Sequence, residues 1–455
     1  MSIAWHIVRN CSEGTLSLRA AGQEFLPAFP AEQKYNSRLS TAVFYNFYSK
    51  VVSAASGLVF QRDIVLADDV PEIIKTHAEN IDNTGTHISV FAKEVFKKSF
   101  EGHCFILVDA AATGDTIKTL ADERRANLRP YWSLRSASDA INWRTAVING
   151  ELVLTQITFK EVTSEPSGDF GEQEAIRYRV WRLVETLNGT RAAWTVYKEV
   201  KDNNNQTTFI KESNGVTRLN KIPVAVVYGE KTGVLESRPP LLDLALLNLK
   251  HYQQSSDYAN TLHLAGMPIL CAKDLDTKAE VMPVGVDILF KVGREGNVWF
   301  AEPSGASLGS ARTALEDLKR EMEALAFSLV SSEKTQVTAT EAALSSIRET
   351  SDLSQMARSL QDGLEQALIF HAQYLNLPEG GSIELGVDLN DLVLNAEDIK
   401  LLSDLQQRGQ ITLETLLWNL NKAEKLPPDA SIENELAELL PKAVSVAQEA
   451  KTSGA

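Results

Sequence analysis

The seven histidines are the side chains best suited to moving protons or holding a metal at neutral pH, but their spacing serves neither use. His251 and His263 share one stretch of helical periodicity, yet they are twelve residues apart. That is about three turns, where two ligands on one helix need a single turn. Cys11, Cys104 and Cys271 are odd in number and widely separated. This points away from a disulfide framework or a CxxC zinc site and toward a reducing compartment. The chain has no GxxxxGK[ST] phosphate loop, no GxGxxG and no HExxH. Asp68-Asp69 and Asp388/Asp391 stand in loop-like contexts and read as turn and cap residues, with a carboxylate pair assembled from distant segments left open. Arg177-Tyr178-Arg179-Val180-Trp181-Arg182 interleaves cations and rings, as a single-strand nucleic-acid surface does. It also alternates with period two, and a half-buried strand is the preferred reading. An enzyme would have to assemble its site from scattered residues such as His103, Asp109 and Trp143. The expectation is a protein without catalysis, metal or bound cofactor.

Composition sets the next bounds. The 455 residues are 44% hydrophobic and 23% charged, a folded chain longer than a typical single domain. A net charge of -15 makes it a poor candidate for gripping nucleic acid over its whole surface, though duplex could slide past without sticking. Met-Ser-Ile-Ala-Trp-His has no basic segment followed by an apolar run, so no signal peptide is expected. No apolar stretch is long enough to span a bilayer, and Leu241–Leu249 is broken by Asp243 and Asn248, so no membrane is expected.

The elements that would position any site fall into two styles. Residues 33–65 read as a helix with Leu39, Val43, Phe47, Val51 and Ala54 on one face, stopped by Gly57 before a short strand at Leu58-Val59-Phe60. Residues 86–101 read as a second helix, and His103–Asp109 as a buried strand. To about residue 228 the chain is strand-rich: Leu152–Phe159, Ile176–Val184, Trp194–Val200, Thr207–Ile210 and Val224–Tyr228. Turns are expected at Asn188-Gly189, Asn203-Asn204-Asn205 and Asn214-Gly215. The fold class is α+β with antiparallel hairpins. At residue 237 the style changes. Ser237 with Pro239-Pro240 reads as a helix start, and the helix runs to Gly266, about 39 Å at 1.5 Å per residue. Short strands are expected at Ile269–Ala272, Asp287–Val292 and Val298–Ala301. Leu308, Ala311, Leu315, Leu318, Met322, Leu325 and Leu329 then step by three and four as a heptad seam. Two helices of similar length flanking a small strand insert make a stalk with a head. Ser331, Ser332, Glu333, Lys334, Thr335, Gln336 and Val337 form a polar break. Thr338-Ala-Thr-Glu341 is a capping box opening a third helix to about Asn376, with Leu353, Met356, Leu360, Leu364, Leu368 and either His371 or Leu375 on one face. Shorter helices follow at Asp398–Arg408, Leu413–Ala423 and Ile432–Gln448.

Several of these stretches, in this order, resemble the portal proteins of tailed bacteriophages, in particular a branch long catalogued only as an uncharacterised phage family. The resemblance runs from about Tyr35 to Leu426. It is carried by Tyr35-Asn-Ser-Arg38 through Ser56-Gly57-Leu58-Val59-Phe60, by Gly102-His-Cys-Phe-Ile-Leu-Val-Asp109, and by Arg129-Pro-Tyr with Ile141-Asn-Trp-Arg144. The most specific run is Pro239-Pro-Leu-Leu-Asp-Leu-Ala245, Asn248, His251-Tyr252 and Ser255-Ser-Asp-Tyr258 through Pro268. Thr338–Leu353 and Arg408-Gly-Gln-Ile-Thr-Leu-Glu414 add to it.

The resemblance implies a portal fold and a homo-oligomeric ring, usually of twelve copies. It implies the N-terminal part of a wing at 1–235, a first stem helix at 236–266, a clip at 267–306 and a second stem helix at 307–330. A tunnel loop at 331–337, a long wing helix at 338–379 and a short helical crown at 380–455 complete it. Leu315, Leu318, Met322, Leu325 and Leu329 would pack the stem, and Ser331–Val337, with Lys334 its only cation, would face the DNA channel. The implied partners are double-stranded DNA in the channel, the terminase large subunit, head–tail adaptor proteins and the major capsid protein. The implied location is one vertex of the virion, after assembly in the host cytoplasm. The alternative is a helical adaptor or scaffold whose stalk binds another protein and touches no DNA.

Overall fold

A computed structural model describes residues 3–30, 32–110, 129–187, 189–201, 206–266, 269–275, 292–301, 306–330, 339–385, 403–404, 406–408 and 412–422. The chain divides into two units, 1–386 and 387–455. Helices and antiparallel strands are mixed in the first, and among the described residues every strand pair is antiparallel.

The core forms around one strand. Cys104-Phe-Ile-Leu-Val108 is a continuous apolar run, and a strand can carry such a run only if both faces are covered. It lies in β2 (His103–Ala110), of which all residues but the last are buried. β2 is the middle of a three-stranded sheet, between β3 (Pro130–Ser136) and β9 (Val224–Tyr228). Alternation sends its side chains two ways. Phe105 and Leu107 enter a cluster with Ile157, Phe159, Trp181, Ala192, Leu219 and Ile222. Those residues belong largely to a second sheet of β4 (Ala140–Ile148), β5 (Glu151–Ser167), β6 (Gly171–Thr186), β7 (Gly189–Lys201) and β8 (Thr207–Val216), in that order. On the other side, Cys104 Sγ donates to Val95 O of α6 (Ile88–Ser99) at 3.4 Å.

The helices preceding α6 are α1 (Ile3–Glu13), α2 (Thr15–Ala21), α3 (Tyr35–Thr41), α4 (Phe47–Val59) and α5 (Glu72–Ala78). After β9 come the hairpin β10 (Glu230–Gly233) and β11 (Glu236–Arg238), then α7 (Leu242–Ala265), β12 (Ile269–Leu275), β13 (Val292–Ala301), α8 (Ala306–Val330) and α9 (Ala339–Tyr374). β14 (Ile383–Glu384) pairs with β1 (Val65–Leu66). In the second unit, Thr412 Oγ1 accepts from the Thr415 N–H at the start of α10 (Leu413–Lys422). The helix expected at Asp398–Arg408 falls largely outside the described residues, and Ile432–Gln448 wholly so.

Four local expectations are corrected. The helix expected across 33–65 is two helices, because residues 42–46 are drawn into tertiary contacts: Arg19 donates twice to Ala42 O, and Thr15 Oγ1 both accepts from Phe44 N and donates to Phe44 O. Val43, expected on the buried face, is exposed there. Gly57 does not stop α4, which continues through Leu58-Val59 because Ala55, Ser56 and Val59 bury one face. Asn214-Gly215 is not a turn but lies within β8, where Gly215 leaves room for the Trp194 indole; a Cβ there would meet Trp194 Nε1 at 2.9 Å. Ser237 does not cap a helix: it sits in β11 and bonds His103 Nδ1 at 2.7 Å. A turn that pattern reading missed is Asn149-Gly150, both at positive φ (52° and 85°), closing the two-residue β4–β5 hairpin in the way Asn-Gly favours.

α9 covers the β9 edge of the three-stranded sheet. Ser359 Oγ accepts the Tyr228 N–H at 2.8 Å. One turn on, Gly363 lets the helix press against the strand, since a Cβ would stand 2.4 Å from Val227 Cγ2. Gly to Ala in an open helix stabilises by about 1 kcal/mol. Here the overlap reverses the sign, and Gly363→Ala is expected to cost about 1–3 kcal/mol, as overpacking does. Urea denaturation measures it; a stabilised variant would show that α9 does not pack this closely.

Candidate functional site: the anchored helical hairpin

The segment without catalytic patterning has the most distinctive geometry. β12 and β13 form an antiparallel hairpin in register from Ile269↔Ala301 to Lys273↔Asn297. That register sets the end of α7 beside the start of α8, and the two helices pack on each other, so they run antiparallel with the strands at one end.

The inner half of α7 is fastened by polar side chains. Leu244, Ala245, Asn248, Tyr252 and Ser256 are buried along one face at steps of three to four. Asn248 Oδ1 accepts the N–H groups of Phe47 and Tyr48, each at 3.0 Å, and its Nδ2 donates to Tyr45 O at 2.8 Å. The Asn46 side chain accepts the Ser49 N–H at 2.9 Å. Together the two asparagines satisfy the first three N–H groups of α4, which no intrahelical carbonyl reaches. Two turns along α7, Arg38 reaches in from α3. Its guanidinium makes a two-pronged contact with Glu32 (2.8 and 2.9 Å), donates to Pro27 O, and meets Ser256 Oγ and Asp257 Oδ1 at 3.4 and 3.3 Å. It also lies 4.3 Å from the Phe29 ring centre. Burial holds the Asp257 carboxyl above its ordinary value, with Arg38 pulling the other way. Gln253 Nε2 donates to Phe25 O at 2.9 Å.

α8 contributes Leu318, Met322 and Ala326, buried at steps of four. Leu308, Ala311 and Leu315 are half-buried, and Leu325, expected on the heptad seam, is 38% exposed. The buried stripe thus turns toward Ala326 rather than following Leu325. The solvent side carries Arg312–Glu316, Asp317–Arg320 and Lys319–Glu323 pairs, each worth a few tenths of a kcal/mol. Beyond Ser256 the hairpin opens to solvent. Leu262 is 49% exposed, and Gly309, Ser310, Arg312 and Thr313 are exposed. At the strand tip Trp299 is 44% exposed opposite Cys271. Ser331, Ser332, Glu333, Lys334, Thr335, Gln336 and Val337 lie outside the described residues, as does the Leu329 side chain.

The scattered residues named for an enzyme are not assembled. His103 is enclosed by the rings of Trp5, Phe105 and Tyr228, and burial pushes its imidazole down to about 4. Ser237 joins it to a cavity of about 560 Å³ lined in part by Trp5, Trp143 and Glu236. Asp109 is six residues along β2, about 20 Å away at 3.3 Å per residue, and pairs with Arg179 at 2.8 Å. Among the described residues no group of three or more His, Cys, Asp or Glu is placed to hold a metal, and no helix is long and apolar enough to cross a membrane. His251 lies beside Tyr45 with its imidazole depressed by burial and by Lys319, whereas His263 is exposed.

A family model described as a domain of unknown function (DUF4055) matches residues 240–375. The matched segment begins just before α7 and ends just past α9, so it takes in the hairpin, its strand tip and the covering helix. No curated protein matches the chain.

Replacing Asn248 by Leu keeps the volume and removes all three bonds, stranding the buried Tyr48 N–H of α4, while the Phe47 N–H keeps Tyr45 O at 2.7 Å. The expected loss is about 1–3 kcal/mol, the cost of one buried group left unpaired. A change below 1 kcal/mol in chemical denaturation would show that α7 is not fastened there.

Proposed function

We propose that this protein is the portal protein of a tailed bacteriophage. Twelve copies form a ring at one capsid vertex, double-stranded DNA enters and leaves through its channel, and the terminase motor and then a head–tail adaptor dock on its exposed end. The observation that supports this best is the hairpin: two long antiparallel helices, fastened at the inner half and open at the outer half, with an antiparallel strand pair at the tip. Repeated about an axis, such hairpins set exposed apolar residues of one copy, Leu262 and Leu325 among them, against the next. A repeated head-to-tail contact closes into a ring.

In this reading α7 and α8 are the stem, β12 and β13 belong to the clip, α9 crosses the wing and 331–337 is the tunnel loop. The negative balance of the chain suits a conduit. Each phosphate that a wall neutralises adds affinity and would slow the duplex. A mostly repulsive wall with few cations lets it pass. ATP hydrolysis is assigned to the docked motor.

Electron microscopy down the particle axis is the direct test. Twelve chains of 50.1 kDa make rings of about 600 kDa with a central hole. A monomer or dimer would instead support an adaptor that binds protein alone. Two variants separate folding from assembly. Leu318→Asp places a charge at a buried site and is expected to unfold the hairpin, at a cost of several kcal/mol. Leu325→Asp is expected to leave the thermal midpoint within a few degrees and to reduce ring yield; unchanged rings would remove Leu325 from the contact between copies. Lys334→Glu is expected to leave rings intact and impair DNA packaging or retention, and normal filling would remove 331–337 from the channel.

A further inference from the structure

Away from the hairpin, a hydrogen-bond chain crosses the place where α5, β3 and α9 meet. His371 on α9 is fully buried, and both of its ring nitrogens are engaged. Trp132 Nε1 of β3 stands 3.2 Å from His371 Nδ1. An indole N–H only donates, so Nδ1 is the bare nitrogen and the ring proton sits on Nε2. His371 Nε2 is 2.9 Å from His77 Nδ1 of α5. It therefore donates there, which leaves the His77 proton on its own Nε2. The order Trp132 to His371 to His77 has one consistent direction while both imidazoles are neutral. Arg129 holds the end of α5 from the same side, donating to His77 O at 3.2 Å and to Asn80 O. Phe91 of α6 closes the site, its ring centre 5.8 Å from that of Trp132.

We infer that this chain is a proton-operated latch: neutral, it ties α5 and β3 to the long helix α9, and a proton taken up by either imidazole opens it. The reason is geometric. A proton on His371 Nδ1 would face the Trp132 N–H, donor against donor. A proton on His77 Nδ1 would face the His371 Nε2–H in the same way. The groups that bear on the pair from its neighbours give no relief. Arg129 opposes positive charge on both imidazoles, and His77 disfavours protonation of His371. Asp82 acts on Arg129 rather than on the rings, while Asp109, Tyr131 and Arg179 gather one turn further on, at Tyr374. Burial first, then His77 and Arg129, push His371 down to about 3; burial and then Arg129 lower His77. The ordinary histidine value is about 6.5, so the unfolded or opened chain takes up protons that the closed latch refuses. The contribution of the latch is therefore complete above about pH 6.5 and is lost progressively as pH falls toward 3. The inference stands on these contacts alone and does not require the ring.

Amide exchange tests it on the full-length protein. Protection factors of the α5 amides, corrected for intrinsic exchange, are expected to fall at least tenfold between pH 7.5 and 4.5 while those of α6 hold. The double variant His77→Phe/His371→Leu is expected to show no such step. A wild type without the step, or a double variant that keeps it, overturns the latch. Should the double variant not fold, His77→Phe alone, at a half-buried position, is expected to shrink the step, and an undiminished step would overturn the latch. Long-range nitrogen–proton NMR of the wild type at pH 7.5 is expected to find the Nε2–H tautomer on both histidines. The Nδ1–H tautomer on His371 would by itself refute the chain.

Discussion

The hold of Asn248 on α4 is the constraint from which the hairpin geometry follows. A helix start leaves N–H groups that must find partners or water. Here the partner for two of them comes from a helix some two hundred residues later in the chain. The same amide donates to Tyr45 O, so neither end of the side chain is idle. With Arg38 and Gln253 adding contacts along α7, the inner half of that helix becomes part of the N-terminal layer. The outer half has no comparable hold among the described residues and stands in solvent. The division of α7 into a fixed half and an open half is what makes the hairpin suited to contact something outside its own chain.

The core behind it solves a different problem. β2 is apolar on both faces, so it needs cover on both, and it receives helices on one side and the five-stranded sheet on the other. α9 closes the helical side, and Gly363 and Ser359 suit it to lie against a strand edge that would otherwise be open to another chain. The same helix carries His371 into the buried chain with Trp132 and His77. α9 therefore covers a strand edge and satisfies buried polar groups that have no access to water.

Several elements were legible in the residues. The apolar run of β2, the helix at 88–99, the period-two strands of the large sheet and the two long helices around a strand insert each follow from hydrophobic period and turn residues. Part of the hairpin stripe was legible too, since Leu318 and Met322 are buried. The exposure of Leu325 was not, because three-and-four stepping holds a seam only between helices that supercoil about each other. α8 instead presents a buried stripe at steps of four through Leu318, Met322 and Ala326. The break in the helix at 42–46 was also out of reach, since Thr15 and Arg19 impose it from another helix. The role of Asn248 has a faint local sign, a polar residue on the apolar face of a helix. Such a residue declares only that a partner exists, not which one.

By itself, then, the sequence determined the longer helices and most of the strands, that the chain is mixed in class, and that its long helices bracket a small strand pair. Those properties depend on period, turn chemistry and local steric preference, and all of them act between near neighbours. Tertiary structure decided where α7 is fastened, that Ser237 bonds His103 instead of capping a helix, that Gly215 lies under an indole, and that His371 stands between Trp132 and His77. Each of these turns on a polar or close contact between residues far apart in the chain. A buried donor is satisfied by whichever acceptor the packing delivers, and no local pattern names it in advance.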